Sequence, residues 1–228
     1  MSDQDDLPES GSGRGDALSR RQILKRGGAW AAATAVGPVV AEQSPDAQAA
    51  ELVASQLKAL SGAEARTLEA VLERLLPSDA TGPGAKEANV LRYIDWSLAG
   101  DLHMFKAPYT SAIAAIDAYS QKKSGAPFAS LTASQQDAVL TDMESNKATG
   151  FVPNGLAVFL MIRTHAVEGM FGDPAHGGNV GFVGWKLVRF PGPRLVIDAH
   201  DQALDVTPAN QLVSAYSLPV FKHTKVDR

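Results

Sequence analysis

The chain has 228 residues, of which 45% are apolar, 20% charged and 7% aromatic, a globular composition that excludes disorder throughout and fits one domain or at most two. Its 21 basic and 25 acidic residues leave a formal charge of −4, and no basic run can neutralise a row of phosphates, so no nucleic-acid partner is expected. Cysteine is absent, which removes thiolate nucleophiles, ordinary iron–sulfur ligation and haem attachment through Cys-x-x-Cys-His from this polypeptide.

Near the amino terminus, Ser19-Arg20-Arg21-Gln22-Ile23-Leu24-Lys25 sets two adjacent arginines before an apolar pair and a lysine, and a weakly apolar, Ala-rich stretch from Ala29 to Val40 follows. The order resembles a twin-arginine export signal. Low hydrophobicity fits, because a strongly apolar core would favour the general route that threads unfolded chains, whereas twin-arginine export carries folded cargo. Val39 and Ala41 suit a signal peptidase, so residues 1–41 are expected to be the signal, with Ala49 as the second cleavage point. No apolar run reaches the roughly 18 to 20 residues that a membrane-crossing helix needs.

A linker over 42–60 leads to Ser61-Gly62-Ala63-Glu64, which reads as a capping box opening a helix to about Leu76; Leu68, Val71, Leu72 and Leu75 form its apolar stripe and Pro77 ends it. Gly82-Pro83-Gly84 makes a turn, and a second helix is expected over Ala85 to Ala99, with Val90, Leu91, Ile94 and Leu98 on one face. A third spans Pro108 to Lys123, punctuated by Gly125 and Pro127. Thr132-Ala133-Ser134-Gln135 is a second capping box, for a helix to about Asn146, and Asn154 can cap the longest apolar segment, Gly155 to Met170. Only Leu195 to Ile197 hints at period-two alternation. The expected class is therefore all-α: an irregular bundle of about five helices over 61–192, with an extended tail over 193–228.

Beyond Met170 the periodicity stops. Phe171-Gly172-Asp173-Pro174-Ala175-His176-Gly177-Gly178-Asn179, then Gly184-Trp185 and Phe190-Pro191-Gly192-Pro193, is too rich in glycine and proline for a regular element. Its aromatic residues argue for an ordered loop pressed on something. Trp96 reads as helix core and Trp30 leaves with the signal, while Trp185 could equally plug the core or anchor an interface.

These residues carry a resemblance. Leu75-Leu76-Pro77-Ser78-Asp79, Gly82-Pro83-Gly84-Ala85-Lys86-Glu87-Ala88, Tyr93-Ile94-Asp95 and Leu98-Ala99-Gly100 are similar to the small-subunit family of gluconate 2-dehydrogenase. Phe128, Leu131, Gln135, Gln136 and Leu140 resemble its Phe-x-x-Leu and Gln-Gln helix. Glu168-Gly169-Met170-Phe171, Asp173-Pro174, Gly177-Gly178-Asn179, Gly184-Trp185-Lys186-Leu187 and Phe190-Pro191-Gly192 resemble its signature loop. The likeness runs from about Leu68 to Gly192. His176 stands where Tyr is expected, Val180 and Gly181 where Arg and Asp are usual, and Arg189 where Gly is common.

The resemblance implies a non-catalytic small subunit of a three-part complex, exported folded to the periplasm and peripheral to the inner membrane through its partners. Those partners are a glucose-methanol-choline-type large subunit carrying FAD, with or without an iron–sulfur cluster, a multihaem c-type cytochrome, and the twin-arginine translocase during export. No cofactor is expected on this chain. Composition and resemblance together place the partner interface on Glu168, Phe171, Asp173, Pro174, His176, Gly177, Gly178, Asn179, Phe182, Gly184, Trp185, Phe190, Pro191 and Gly192. The rival reading is a free-standing metal-dependent enzyme using His165, Glu168, Asp173 and His176, the first two one helical turn apart. A di-iron bundle would want a second acid-x-x-His pair, and Asp173 before Pro174 can form an Asx turn without chemistry. Gly177-Gly178 lacks the preceding strand of a phosphate loop, and no Gly-x-Ser-x-Gly elbow occurs.

Overall fold

The computed structural model describes residues 56–206 and 209–221; Arg20, Arg21, the expected signal and most of the linker lie outside them. The described residues are all-α, without a strand, and the alternation at Leu195 to Ile197 forms none. The helices are α1 (Gly62–Leu75), α2 (Val90–Ala99), α3 (Lys106–Ser124), α4 (Ala133–Glu144), α5 (Gly155–Phe171) and the short α6 (Val183–Leu187). None is long and apolar enough to cross a membrane.

Both capping boxes form. The Ser61 hydroxyl accepts from the Glu64 amide while the Glu64 carboxylate accepts from the Ser61 amide, and Thr132 and Gln135 repeat the exchange at α4. Asn154 caps α5 by accepting from the Ala157 amide at 2.9 Å. Two helix starts differ from expectation. Helix α2 begins at Val90 instead of Ala85, because Asn89 adopts left-handed backbone angles (φ 57°, ψ 43°) that interrupt a helix. Helix α3 begins at Lys106, which leaves Pro108 in the first turn, where a missing amide is unused.

One core joins the helices. Leu68 and Leu72 of α1, Ile94 and Leu98 of α2, Ile116 of α3, Met143 of α4 and Ile162 and Met170 of α5 are fully buried around Tyr109 and Phe128. The Gln-Gln pair divides its work: Gln135 completes the α4 capping box, and buried Gln136 donates to the Phe128 carbonyl at 3.0 Å. Asp117 on α3 accepts from the Phe128 amide and from the Thr67 hydroxyl, each at 3.0 Å, tying the connection before α4 to α1.

Asp95 makes a buried polar anchor. The residue is 1% exposed, and its carboxylate accepts from the amides of Lys58, Ala59 and Leu60 at 2.7, 2.9 and 2.9 Å. These amides precede α1 and have no helical carbonyl to meet, so the buried carboxylate satisfies donors that would otherwise be orphaned.

Candidate interaction site

The C-terminal end of α5, the α2 face beside it and residues 172–192 form the site. From α2, Arg92, Tyr93 and Trp96 reach the loop. Arg92 donates from Nε to the Gly177 carbonyl at 2.8 Å and lies over the Trp96 ring at 5.0 Å, with Lys58 over the same ring at 4.2 Å. Tyr93 donates to the Glu168 carboxylate at 3.0 Å; burial first, and the nearby negative charge second, push its phenol up to about 12.

Asn179 holds the loop together. It is fully buried, its amide donates to the Gly169 carbonyl at 2.8 Å, and its side chain donates from Nδ2 to the Gly172 carbonyl at 2.8 Å while accepting from the Gly184 amide at 2.9 Å. One amide side chain thus closes the chain from Gly172 to Gly184 upon itself. Two glycines allow the close approach: a Cβ on Gly178 would collide with the Gly169 carbonyl, and one on Gly184 with the Met170 carbonyl. These contacts seat the loop on the last turn of α5.

The loop also carries regular elements that its composition seemed to forbid. Three-residue 3₁₀ turns form at Pro174–His176 and Val180–Phe182, and α6 follows. Glycine and proline fill the junctions between these pieces, which is why their density concealed helices this short. Arg189, where the resembled family commonly has Gly, has φ 56°. The left-handed backbone supplies the physical reason for glycine at that position.

Of the two roles left open for Trp185, the structure shows the inward one. Trp185 is 5% exposed, donates from Nε1 to the Phe171 carbonyl at 2.7 Å, and packs between Phe182 and Phe190 with ring centroids 5.2 and 5.0 Å away. Gly177, Gly178, Asn179, Gly184 and Gly192 are likewise buried within this chain, where the expectation had them meeting a partner. Their tight contacts are with Trp96, α5, the loop itself and the tail. Reachable members of the expected interface are Glu168 and Phe190, which are exposed, and the half-buried Phe171, Asp173, Pro174, His176, Phe182 and Pro191.

The tail docks on the loop. Asp173 accepts from the Ala175 amide at 2.9 Å, the Asx turn expected before Pro174, and its second oxygen accepts from the Ala215 amide at 2.7 Å. His176 meets Tyr216 edge-on with centroids 5.5 Å apart, the phenol oxygen lying 3.3 Å from Nε2. Gln211 donates to the Pro191 carbonyl at 2.6 Å, and Arg194 pairs with Asp201 at 2.9 Å. The tail also forms 3₁₀ turns at Ala215–Ser217 and Pro219–Phe221, so it is not simply extended.

The four residues of the metal reading are drawn into three different environments. His165 is buried with Nδ1 3.0 Å from the Tyr109 hydroxyl, stacked on that ring and edge-on to Phe105. Burial pushes its imidazole below the ordinary range, and burial likewise raises the Tyr109 phenol. Glu168 faces Tyr93, whereas Asp173 and His176 hold the tail. No group of three or more potential ligands converges among the described residues.

A profile of the family described as gluconate 2-dehydrogenase subunit 3 matches residues 62–192, from the first turn of α1 to the end of the loop. The chain belongs to the gluconate 2-dehydrogenase subunit 3 family. Membership makes it an accessory subunit of a dehydrogenase complex, associated with the other subunits of that enzyme. Searches of curated proteins and of solved structures found no match.

Sequence reasoning missed three contributors: the Asp95 anchor, the Arg92–Trp96 platform and the role of Asn179 as a hub. Asp95 carried a signal, an acid within an apolar helix stripe between Ile94 and Leu98. The other two depend on long-range partners that helix periodicity does not encode.

Proposed function

We propose that this chain is the non-catalytic small subunit of a periplasmic, membrane-associated, flavin-dependent dehydrogenase acting on a sugar, polyol or sugar acid. It carries the twin-arginine signal on which the folded large subunit is co-exported, and it stabilises or matures that FAD-bearing partner. The observation that carries the reading is family membership across residues 62–192 in a chain that also bears Arg20-Arg21 before a weakly apolar stretch. The donor set agrees. With no cysteine there is no ordinary ligand set for a cluster or attached haem, and the Gly177-Gly178 turn follows a 3₁₀ turn where a nucleotide fold needs a strand. In this reading FAD, any iron–sulfur cluster and the cytochrome haems belong to the partner subunits.

Replacing Arg20 and Arg21 by Lys tests the shared export, because the exporter reads a guanidinium pair that ammonium groups do not mimic. Both this chain and its large subunit should stay in the cytoplasm, with dehydrogenase activity lost from the periplasmic fraction. Normal periplasmic activity in the double variant would overturn co-export.

A further inference from the structure

Between α6 and the tail lies a cavity of about 500 Å³, within the range of small-molecule sites. Trp185, Phe190, Pro191 and Leu212 form its apolar walls, Asn210 adds a neutral polar group, and Lys186 and Arg189 bring two cations. No acidic residue lines it. Both cations are exposed, and neither belongs to an ion pair among the described residues, whereas Arg194 further along is paired with Asp201. The chain carries −4 overall, yet the stretch from Pro174 to Ile197 contains three basic residues and no acid. The walls are set in advance. Trp185 is fixed by its bond to the Phe171 carbonyl, and Gln211 brings the tail against Pro191 at 2.6 Å, so close that a Cβ on Gly192 would strike the Gln211 carbonyl. Arg189 brings its guanidinium there from a left-handed backbone (φ 56°) that glycine would adopt without strain. Strain of that kind points to a use for the side chain.

We propose that this cavity binds the phosphate headgroup of an anionic phospholipid at a membrane surface. Lys186 and Arg189 take the phosphate, the guanidinium by paired hydrogen bonds that match its geometry. Beside them in the chain, Leu187 and Val188 are 41% and 55% exposed, and Phe190 on the wall is 40% exposed. Apolar residues interleaved with cations suit a bilayer, which offers anion and hydrocarbon together; binding at such a surface grows with the apolar area buried and with attraction to anionic lipid. An acidic protein surface would answer the cations and set Leu187 and Val188 against polar groups. A free phosphate ester would fill the charged part and leave the apolar walls in water. Of the three, the lipid satisfies both halves. The inference gives this chain a membrane contact of its own and stands on the cavity, independently of the accessory role proposed above.

The test mixes the full chain with vesicles of phosphatidylcholine alone, or with vesicles in which phosphatidylglycerol replaces part of it, and follows amide exchange. Exchange over 183–192 should slow only with phosphatidylglycerol. A readout local to the cavity keeps it apart from the amino-terminal segment, whose Arg20 and Arg21 can hold anionic vesicles by themselves. Lys186→Gln and Arg189→Gly should each raise the lipid concentration needed for half the slowing about fivefold, the effect of one basic residue near an anionic surface. The double variant should raise it more than tenfold. Arg189→Gly suits the backbone and should melt at or above the wild-type temperature, so its weaker binding is not a loss of fold. Arg66→Gln, an equal change of charge on an exposed residue of α1, should leave the slowing as it is. Wild-type slowing in the double variant, equal slowing on phosphatidylcholine alone, or no slowing in the wild-type chain would each overturn the headgroup site. Slowing by dissolved glycerol 3-phosphate but not by vesicles would give the cavity to a free phosphate ester. Slowing by polyglutamate but not by vesicles would give it to an acidic protein surface, and either result would refute the lipid. All of these outcomes leave co-export untouched.

Discussion

The body from Ser61 to Phe171 and the loop with its tail from Gly172 to Phe221 reach order by different means. In the body, apolar residues at helical spacing are buried against one another, and polar groups such as Asp95, Asp117 and Gln136 close the few gaps at helix ends. In the loop, Trp185 apart, burial falls mostly on backbone, and order comes from single side chains that each satisfy several main-chain groups: Asn179 within the loop and Asp173 between loop and tail. A periodic core distributes its stability over many side chains, whereas a loop of this kind concentrates it on a few. Single substitutions should therefore read differently in the two regions.

The largest effect is expected where the body relies on one residue in the manner of the loop. Asp95→Ala removes the acceptor of three amides and leaves the buried Leu60 amide without a partner. Hydrogen bonds to a charged group and the cost of an orphaned donor together predict a loss of about 3 to 5 kcal/mol. Denaturant unfolding of the isolated domain measures it, and Asp95→Asn, which keeps one acceptor, should recover part of the loss. A change below about 1 kcal/mol in Asp95→Ala would show that the entry to α1 is held by packing alone.

Trp185→Ala tests whether the loop is energetically part of the body. Truncating a buried aromatic residue costs about 3 to 5 kcal/mol when its site cannot collapse. Trp185 leans on the Phe171 carbonyl at the end of α5, so part of that cost should reach the global transition and lower the melting temperature. Affinity for the large subunit should change much less than stability. An unchanged melting curve together with lost co-purification would detach the loop from the body and return Trp185 to the interface.

How much could be read in advance follows the same division. Four of the five expected helices lie within a few residues of the predicted bounds, because Ser61, Thr132 and Asn154 announce their starts through local hydrogen bonds and Pro77 and Gly125 their ends. The start of α2 was misread because Asn89 turns left-handed within a segment of otherwise good helix formers. In the loop, composition indicated order but not direction. Glycines that permit close approach look alike whether the neighbour is another subunit or the chain's own α5, and Gly178 and Gly184 meet the latter.

The smallest effect is expected where the tail meets the loop. Asp173→Ala deletes one bond within the Asx turn and one to the Ala215 amide, both on a half-buried carboxylate, which predicts about 1 to 2 kcal/mol. Because the described residues of the tail add 3₁₀ turns and no core residue, that loss should be local. Amides from Gln211 to Phe221 should exchange about tenfold faster, as 1.4 kcal/mol corresponds to one decade, while the melting temperature of the body moves by only a few degrees. His176→Ala, which removes the edge contact to Tyr216, should act in the same direction and more weakly. Unchanged exchange in Asp173→Ala would mean that the Gln211 bond to Pro191 suffices to hold the tail. A fall in melting temperature as large as that of Trp185→Ala would instead make loop, tail and body one cooperative unit and remove the distinction between the two regions.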